Sequence, residues 1–299
     1  MKKMKKIIII ILFAAMSSLY VSAQAIHEYS VYGGGGLSTL RYQLSQGDRS
    51  GGVGGDFGVG YTYFISKERV TGTGKIFNEF WGIHTGLGFG FYNAKAKLNN
   101  VETITKGLND GEGQGKLSEF DLHSTLSGYK ETQKAVYLNI PAMAVFQINQ
   151  IYVMGGFKFG IPLGGKYKSK DATFTNKAWY PELENGLKEQ EFAGYGVFRR
   201  NSDGKLKHGV TVDLALESGW KWYINKNFSV YTGLYLDCGL NNVSKNSKKA
   251  FINYTSENAG NFTTNSVLSS YRDNKEQSVF ADKEKMMAVG VKVRLAYCK

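Results

Sequence analysis

Apolar residues alternate with small or polar residues through most of this 299-residue chain. Between Val53 and Ile65, the valines, Phe57 and the tyrosines occupy every second position, and glycines, Asp56 and Thr62 occupy the positions between them. Successive side chains of a β-strand point to opposite faces, so this pattern predicts a strand with one apolar and one small or polar face. A helix would instead need apolar residues at spacings of three and four.

The same alternation recurs often enough to predict eight strands, of which the first is the weakest. The eight segments are residues 29–40, 53–65, 81–91, 136–140, 151–161, 210–220, 228–236 and 287–297. Their apolar faces suit the roughly 9–11 residues that a tilted strand needs to cross hydrocarbon. The pattern therefore predicts an all-β fold, an eight-stranded antiparallel up-and-down transmembrane β-barrel.

The connections between these strands alternate between short and long. Tight turns are expected at 149–150 and 225–227, with a longer turn around 66–75. The long polar connections are residues 94–134, 166–207 and 242–284. Outer-membrane barrels have short periplasmic turns and longer external loops. Because all three long connections fall on one end of the predicted barrel, we expect three extracellular loops, with both chain termini at the opposite end.

The beginning of the chain predicts export. Four lysines precede an apolar run at residues 7–16, and Val21-Ser22-Ala23 offers small residues for cleavage after Ala23. The apolar run is shorter than the roughly 20 residues of a membrane-spanning helix. We therefore expect a cleaved signal peptide (1–23), a barrel domain (24–299) and a location in the bacterial outer membrane.

Charge and cysteine content restrict the function classes further. The formal charge of +12 falls to +8 without the four lysines of the predicted signal peptide, and the excess is not clustered in a run, so no nucleic-acid partner is expected. Cys238 and Cys298 are too few for a disulfide framework. We expect them to be small packed side chains, although their spacing leaves open whether they pair.

The central hairpin resembles a known family. Val136–Pro141 reads VYLNIP, and after a tight turn Ile151–Gly156 reads IYVMGG. This pair of segments resembles the PorT-like outer-membrane β-barrel family, which implies an OmpA-like barrel without assigned chemistry. The last strand also resembles the signal read by barrel-assembly machinery, with an aromatic at Tyr297. That likeness implies the machinery as a partner during insertion, although the chain continues with Cys298-Lys299.

Charged residues share the glycine-rich face of the predicted strands, which would line the barrel interior. An eight-stranded barrel is just wide enough for its own side chains to fill, which favours a compensated polar core. A gate or a narrow ion path is the alternative interpretation. The predicted interior network consists of Asp56, His84, Lys158, Asp213, Glu217, Lys221, Asp237, Lys292 and Arg294.

No pattern of catalytic or metal-binding residues stands out. His27, His84, His123 and His208 fit no HExxH spacing, and there is no Cys-x-x-Cys pair. A lipid hydrolase would combine a histidine near the barrel rim, such as His208 or His84, with a serine, but no serine is singled out as its nucleophile. We expect no enzymatic activity, no cofactor and no metal.

The expected function is that of an integral outer-membrane protein whose surface loops have structural or binding roles. Its partners would be outer-membrane lipid and an extracellular or secretion partner bound through the three long connections. One alternative is an accessory of an outer-membrane secretion or assembly system. Another is a soluble periplasmic barrel that carries lipid, which would require the apolar side chains to point inward.

Overall fold

The computed structural model describes residues 25–70, 76–109, 119–170, 172–274 and 276–299. The predicted signal peptide at residues 1–23 lies outside the described residues, as does the 71–75 part of the longer turn predicted around 66–75.

Within these ranges the chain forms nineteen strands. They are β1 (Ala25–Arg41), β2 (Asp48–Val70), β3 (Ile76–Leu98), β4 (Val101–Asn109), β5 (Glu119–Ser127), β6 (Tyr129–Ile148), β7 (Ile151–Lys170), β8 (Ala172–Tyr180), β9 (Asn185–Leu187), β10 (Gly196–Arg200), β11 (Asp203–Lys205), β12 (Thr211–Tyr223), β13 (Phe228–Gly239), β14 (Lys249–Ala250), β15 (Ile252–Asn253), β16 (Thr263–Thr264), β17 (Ser270–Asp273), β18 (Ser278–Val279) and β19 (Lys285–Cys298).

Helical structure in the described ranges consists of short 3-10 turns. They are Pro181–Leu183, Glu191–Ala193, Ser256–Asn261 and Val267–Ser269. No helix in this part of the chain has the length and apolarity needed to cross a bilayer.

Eight long strands pair side by side into a closed antiparallel ring. Their order is β1, β2, β3, β6, β7, β12, β13 and β19, and β19 pairs again with β1. The closing pair runs from Glu28 opposite Cys298 to Arg41 opposite Lys285. These strands contain the eight predicted segments, so the all-β class, the strand number and the antiparallel pairing are confirmed.

The ring carries its apolar side chains on the outside. Val53 is 75% exposed, Leu234 66% and Trp81 55%, and similar residues follow on the other ring strands to form a continuous apolar belt. The positions between them point into the ring and are mostly small, polar or tyrosine, with a few larger apolar residues such as Phe64, Met143 and Met154. This distribution suits a protein surrounded by hydrocarbon and is the reverse of what a soluble lipid-carrying barrel requires.

The three long connections are more ordered than the loops expected, because they contribute strands, above all in 94–134 and 166–207. A second sheet runs in the order β10-β8-β5-β4-β17-β14, with β9 and β18 attached to it. It continues from the ring at the end away from the chain termini. We call the described residues of 94–134, 166–207 and 242–284 the cap.

The cap has an apolar core of its own, which explains why it folds. Along β5 and β8, buried and exposed positions alternate as they would in a half-buried sheet. The Phe120 ring lies 5.5 Å from that of Tyr195 and 5.4 Å from that of Tyr254, both edge-on. Such aromatic pairs add to the stabilisation from burial. The sequence is polar overall here because only one face of each strand is buried.

A buried carboxylate attaches the last cap segment to the ring strands. Glu131 on β6 accepts hydrogen bonds from the Tyr129 hydroxyl at 2.5 Å, Gln133 Nε2 at 2.6 Å, Ser266 Oγ at 2.5 Å and the Val267 backbone nitrogen at 3.1 Å. Four donors compensate the cost of burying this group. Glu131 therefore holds the 266–267 segment against β6.

Nearby, a half-buried lysine performs a similar task with backbone acceptors. Lys248 Nζ donates to the carbonyl of Leu268 at 2.9 Å and to that of Ala281 at 2.6 Å. Burial lowers the pKa of Lys248, although the carboxylates of Glu284 and Asp282 oppose that shift. The lysine connects two parts of the 242–284 segment that are far apart in sequence.

Substituting Glu131→Ala should destabilise the cap by about 3 kcal/mol, because several buried donors would lose their acceptor. Limited proteolysis of the detergent-solubilised protein should show faster cleavage within 242–284, with the ring fragment left intact. Glu189→Ala, at an exposed cap position, is the matched control and should leave the cleavage rate unchanged. Equal cleavage rates for the two variants would contradict the assigned role of Glu131.

Candidate functional site

The structure buries all nine residues of the predicted interior network. None is more than 8% exposed, and they come from six ring strands. Asp56 lies on β2, His84 on β3, Lys158 on β7, Asp213, Glu217 and Lys221 on β12, Asp237 on β13, and Lys292 and Arg294 on β19. They do not form one cluster, and a further carboxylate joins them.

Six of these residues form a continuous chain of ion pairs across the lumen. Lys158 Nζ lies 2.5 Å from Asp237 Oδ2 and 3.9 Å from Asp56 Oδ2. Asp56 Oδ2 is also 3.0 Å from Lys292 Nζ, which lies 3.5 Å from Glu217 Oε2. Glu217 Oε1 completes the chain at 2.7 Å from Arg294 Nη2. The charges alternate in sign along the whole path.

This chain of ion pairs joins strands that are not neighbours. β2 and β7 are separated by β3 and β6 in the ring, yet Asp56 and Lys158 meet through their side chains. The network therefore connects facing walls of the ring. Each such contact fixes the distance across the lumen, which backbone pairing between neighbouring strands does not determine.

A second ion pair lies nearer the chain termini and includes a residue that the sequence analysis missed. Glu28 on β1 is fully buried, and its Oε2 lies 2.9 Å from Lys221 Nζ and accepts from the Tyr231 hydroxyl at 2.8 Å. Cys298 Sγ also donates to it at 3.4 Å. The outward positions of Tyr29 and Val31 give the signal that could have placed Glu28 inside.

Two predicted members have no ion pair among the described residues. The Nδ1 atom of His84 is 2.9 Å from the Thr62 hydroxyl, and Asp213 accepts a hydrogen bond from the Thr211 hydroxyl. With Glu28 included, the interior holds five carboxylates (Glu28, Asp56, Asp213, Glu217, Asp237) against four cations (Lys158, Lys221, Lys292, Arg294). The formal charges nearly cancel, as buried charges require.

Tyrosine rings fill the space between the charges. Lys292 Nζ lies 4.9 Å from the centre of the Tyr32 ring and 4.7 Å from that of Tyr235. Lys221 lies 4.8 Å from the Tyr231 ring, and the Tyr152 hydroxyl donates to Glu217 at 3.0 Å. These contacts give the lysines cation–π partners in addition to their carboxylates. The lumen is thus packed with aromatic and ionic groups.

The cavity that remains in this region is too small for a channel. Its volume is about 10 Å³, and its lining includes Tyr32, His84, Lys158, Glu217 and Arg294. That volume is about the minimum for a single water molecule. The packed geometry favours a filled polar core over the narrow ion path.

The histidines have separate polar partners. His27 contacts the Tyr61 hydroxyl, His123 lies 3.3 Å from Glu102, and the buried His208 lies 3.2 Å from Glu284. Cys238 and Cys298 are both free thiols. In the described part of the chain, no three His, Cys, Asp or Glu side chains are arranged to hold a metal ion.

Comparison with known families agrees with this architecture. Residues 28–245 match the family described as outer membrane protein beta-barrel domain, which covers more than two thirds of the chain. No curated protein matches the sequence. The chain belongs to this family and is an integral protein of the bacterial outer membrane.

Removing one carboxylate from the ion-pair chain should strongly destabilise the ring. Glu217→Ala takes away the partner of Lys292, Arg294 and Tyr152, and the free energy of unfolding should fall by about 3–5 kcal/mol. Urea unfolding in detergent, followed by the mobility difference between folded and unfolded protein on gels, measures this change. Glu217→Met combined with Arg294→Met should lose much less, because no buried cation is left without a partner at Arg294. A single variant as stable as the original protein would contradict the assigned role.

The filled lumen should not conduct ions. Protein reconstituted in a planar lipid bilayer should produce no stepwise conductance, because ionic and aromatic side chains pack across the lumen. Recovery of folded protein from the bilayer material establishes that insertion has occurred. Discrete, reproducible conductance steps would show that the network opens.

Proposed function

We propose that this chain is a non-enzymatic outer-membrane barrel that holds a folded cap on the cell surface for binding. The closed lumen supports the anchoring role, because it provides neither a transport path nor a group of converging catalytic residues in the part of the chain that is described. The cap supports the binding role, because it has an apolar core and a defined surface.

The proposed orientation places the cap outside the cell. The connections at 149–150 and 224–227 are short and lie at the same end as both termini. Outer-membrane barrels have their short turns on the periplasmic side. The three predicted extracellular loops then correspond to the cap, and the chain would reach the membrane by means of the signal peptide at 1–23.

Exposed apolar side chains outside the belt carry the binding proposal. In the cap, Phe192 is 73% exposed, Val197 62%, Leu183 55% and Trp179 42%. All four belong to one stretch of the chain between β8 and β10. Large apolar side chains concentrated on a water-exposed surface are typical of sites where another protein binds. We call the four residues the 179–197 patch.

The same region also favours a second candidate function, as an accessory of a secretion or assembly system. β10 lies at one end of the cap sheet, and among the described strands it pairs with β8 alone. A free strand edge can accept a strand from a partner, with neighbouring side chains providing specificity. The likeness of 136–141 and 151–156 to PorT-like proteins supports this candidate as well.

Insertion would require the barrel-assembly machinery as a transient partner. β19 carries an unbroken apolar outer face through Val289, Val291, Val293 and Leu295, and it closes the ring against β1. Pairing of the last strand with the first is the step that removes both free edges of the ring. Outer-membrane lipid would then cover the apolar belt.

Replacing the patch by polar residues should abolish capture of a surface partner. Intact cells carrying the variant with Leu183→Ser, Phe192→Ser and Val197→Ser should cross-link to fewer proteins than cells with the original chain, because the apolar contact area is lost. Substitutions are preferable to loop deletions, since the same segments supply buried residues of the cap core. Leu240→Ser, at a residue that is 50% exposed and outside the patch, is the control. Unchanged cross-linking in the patch variant would remove the support for surface recognition.

A further inference from the structure

Lysines form two like-charged rows on the outer face at the base of the cap. In the first row, Lys134 on β6 lies opposite Lys166 on β7, which lies opposite Lys205 on β11. In the second row, Lys97 on β3 lies opposite Lys130, which lies opposite Lys170. A row between these two contains Lys95 and Lys168. All eight lysines are exposed, and we call them the basic face.

These charges have little compensation from the chain itself. None of the eight lysines forms an ion pair with a described residue. The flanking acids are Asp203, opposite Lys168, and Asp48, opposite Lys97. Like charges directly opposite each other on neighbouring strands are destabilising. Each of the two rows places three lysines opposite one another on neighbouring strands, and a bound anion would relieve this repulsion.

The basic face begins where the apolar belt ends. The outward residues beneath the first row are Phe91 on β3, Val136 on β6 and Leu163 on β7. Successive outward residues on a strand are about 7 Å apart, so the first lysines lie about one residue pair beyond the hydrocarbon-facing side chains. That is the depth at which lipid headgroups lie.

A concave space lies against the basic face. Its volume is about 800 Å³, and seven of the eight lysines line it together with Asp203 and Gly204. Pockets of about 300–1,000 Å³ accommodate ligands larger than a single inorganic ion. The space therefore fits a phosphorylated sugar headgroup better than an isolated phosphate.

From these observations we infer that the basic face binds the phosphate groups of a glycolipid headgroup in the membrane leaflet next to the cap. The lipid's acyl chains would lie along Phe91, Val136 and Leu163, while its phosphates contact Lys134, Lys166 and Lys168. The position at the edge of the belt favours a membrane lipid over a soluble phosphate compound. The assignment to the outer leaflet rests on the proposed orientation of the cap.

The test measures binding of lipid A with two phosphates to the purified full-length protein in detergent, by native mass spectrometry. A variant with Lys134→Gln, Lys166→Gln and Lys168→Gln should bind roughly a hundredfold more weakly, since each lysine near an anionic headgroup contributes about a fivefold factor. The matched control is Lys188→Gln, Lys226→Gln and Lys249→Gln, which removes three exposed lysines elsewhere. It should bind like the original protein, and gel mobility should show that both variants fold.

Three outcomes would overturn the inference. They are equal affinity of the two triple variants, equal binding of lipid A stripped of its phosphates, and displacement of lipid A by millimolar inorganic phosphate, which would indicate a site for soluble phosphate. The orientation is tested separately by protease treatment of intact cells. A cap protected from protease would contradict the proposed function, whereas the affinity difference in detergent would still decide whether the basic face binds this lipid.

Discussion

Closure of the ring determines how its inward charges must be arranged. Once β1 pairs with β19, every charged side chain on the inner face is enclosed by a wall that is itself surrounded by lipid. Burying a lone charge costs several kcal/mol, so cations and carboxylates must meet across the lumen. The alternating path from Asp237 to Arg294 satisfies this requirement and connects facing walls. The same side chains fill the lumen, which supports the proposed role of the ring as an anchor.

Ring strands that continue into the cap pass from the lipid-facing belt to a water-exposed region. In the belt, apolar side chains point outward and charges point inward, whereas in the cap the apolar side chains point inward and lysines point outward. On β7 the change occurs at an irregularity, where Val136 pairs with Gly164 but Tyr137 pairs with Pro162. One extra residue reverses the two faces of a strand. As a result, Lys166 joins the outer surface and Tyr167 joins the cap core.

Sequence periodicity was sufficient to predict the ring because the two sides of a membrane-spanning strand differ strongly in polarity. Periodicity located the inward charges, because they occupy the same alternate positions as the glycines. It missed Glu28 because the first strand is interrupted by glycines at 33–36. It could not predict the cap sheet, whose strands bury only one face among polar residues. Nor could it predict which charges pair, because Asp56 and Lys158 are brought together by curvature and not by sequence spacing.

Both ends of the ring portion meet at one seam. The backbone of His27 exchanges two hydrogen bonds with that of Lys299, at 2.9 and 3.4 Å. The first and last strands are therefore neighbours in the same way as any other pair in the ring, and their order along the chain is not fixed by the architecture. A short linker across this seam, with new ends opened at the Asn149-Gln150 turn, would give a circularly permuted chain with the same wall. The ring would then keep the same pairs of neighbouring strands, although a different strand would be synthesised first.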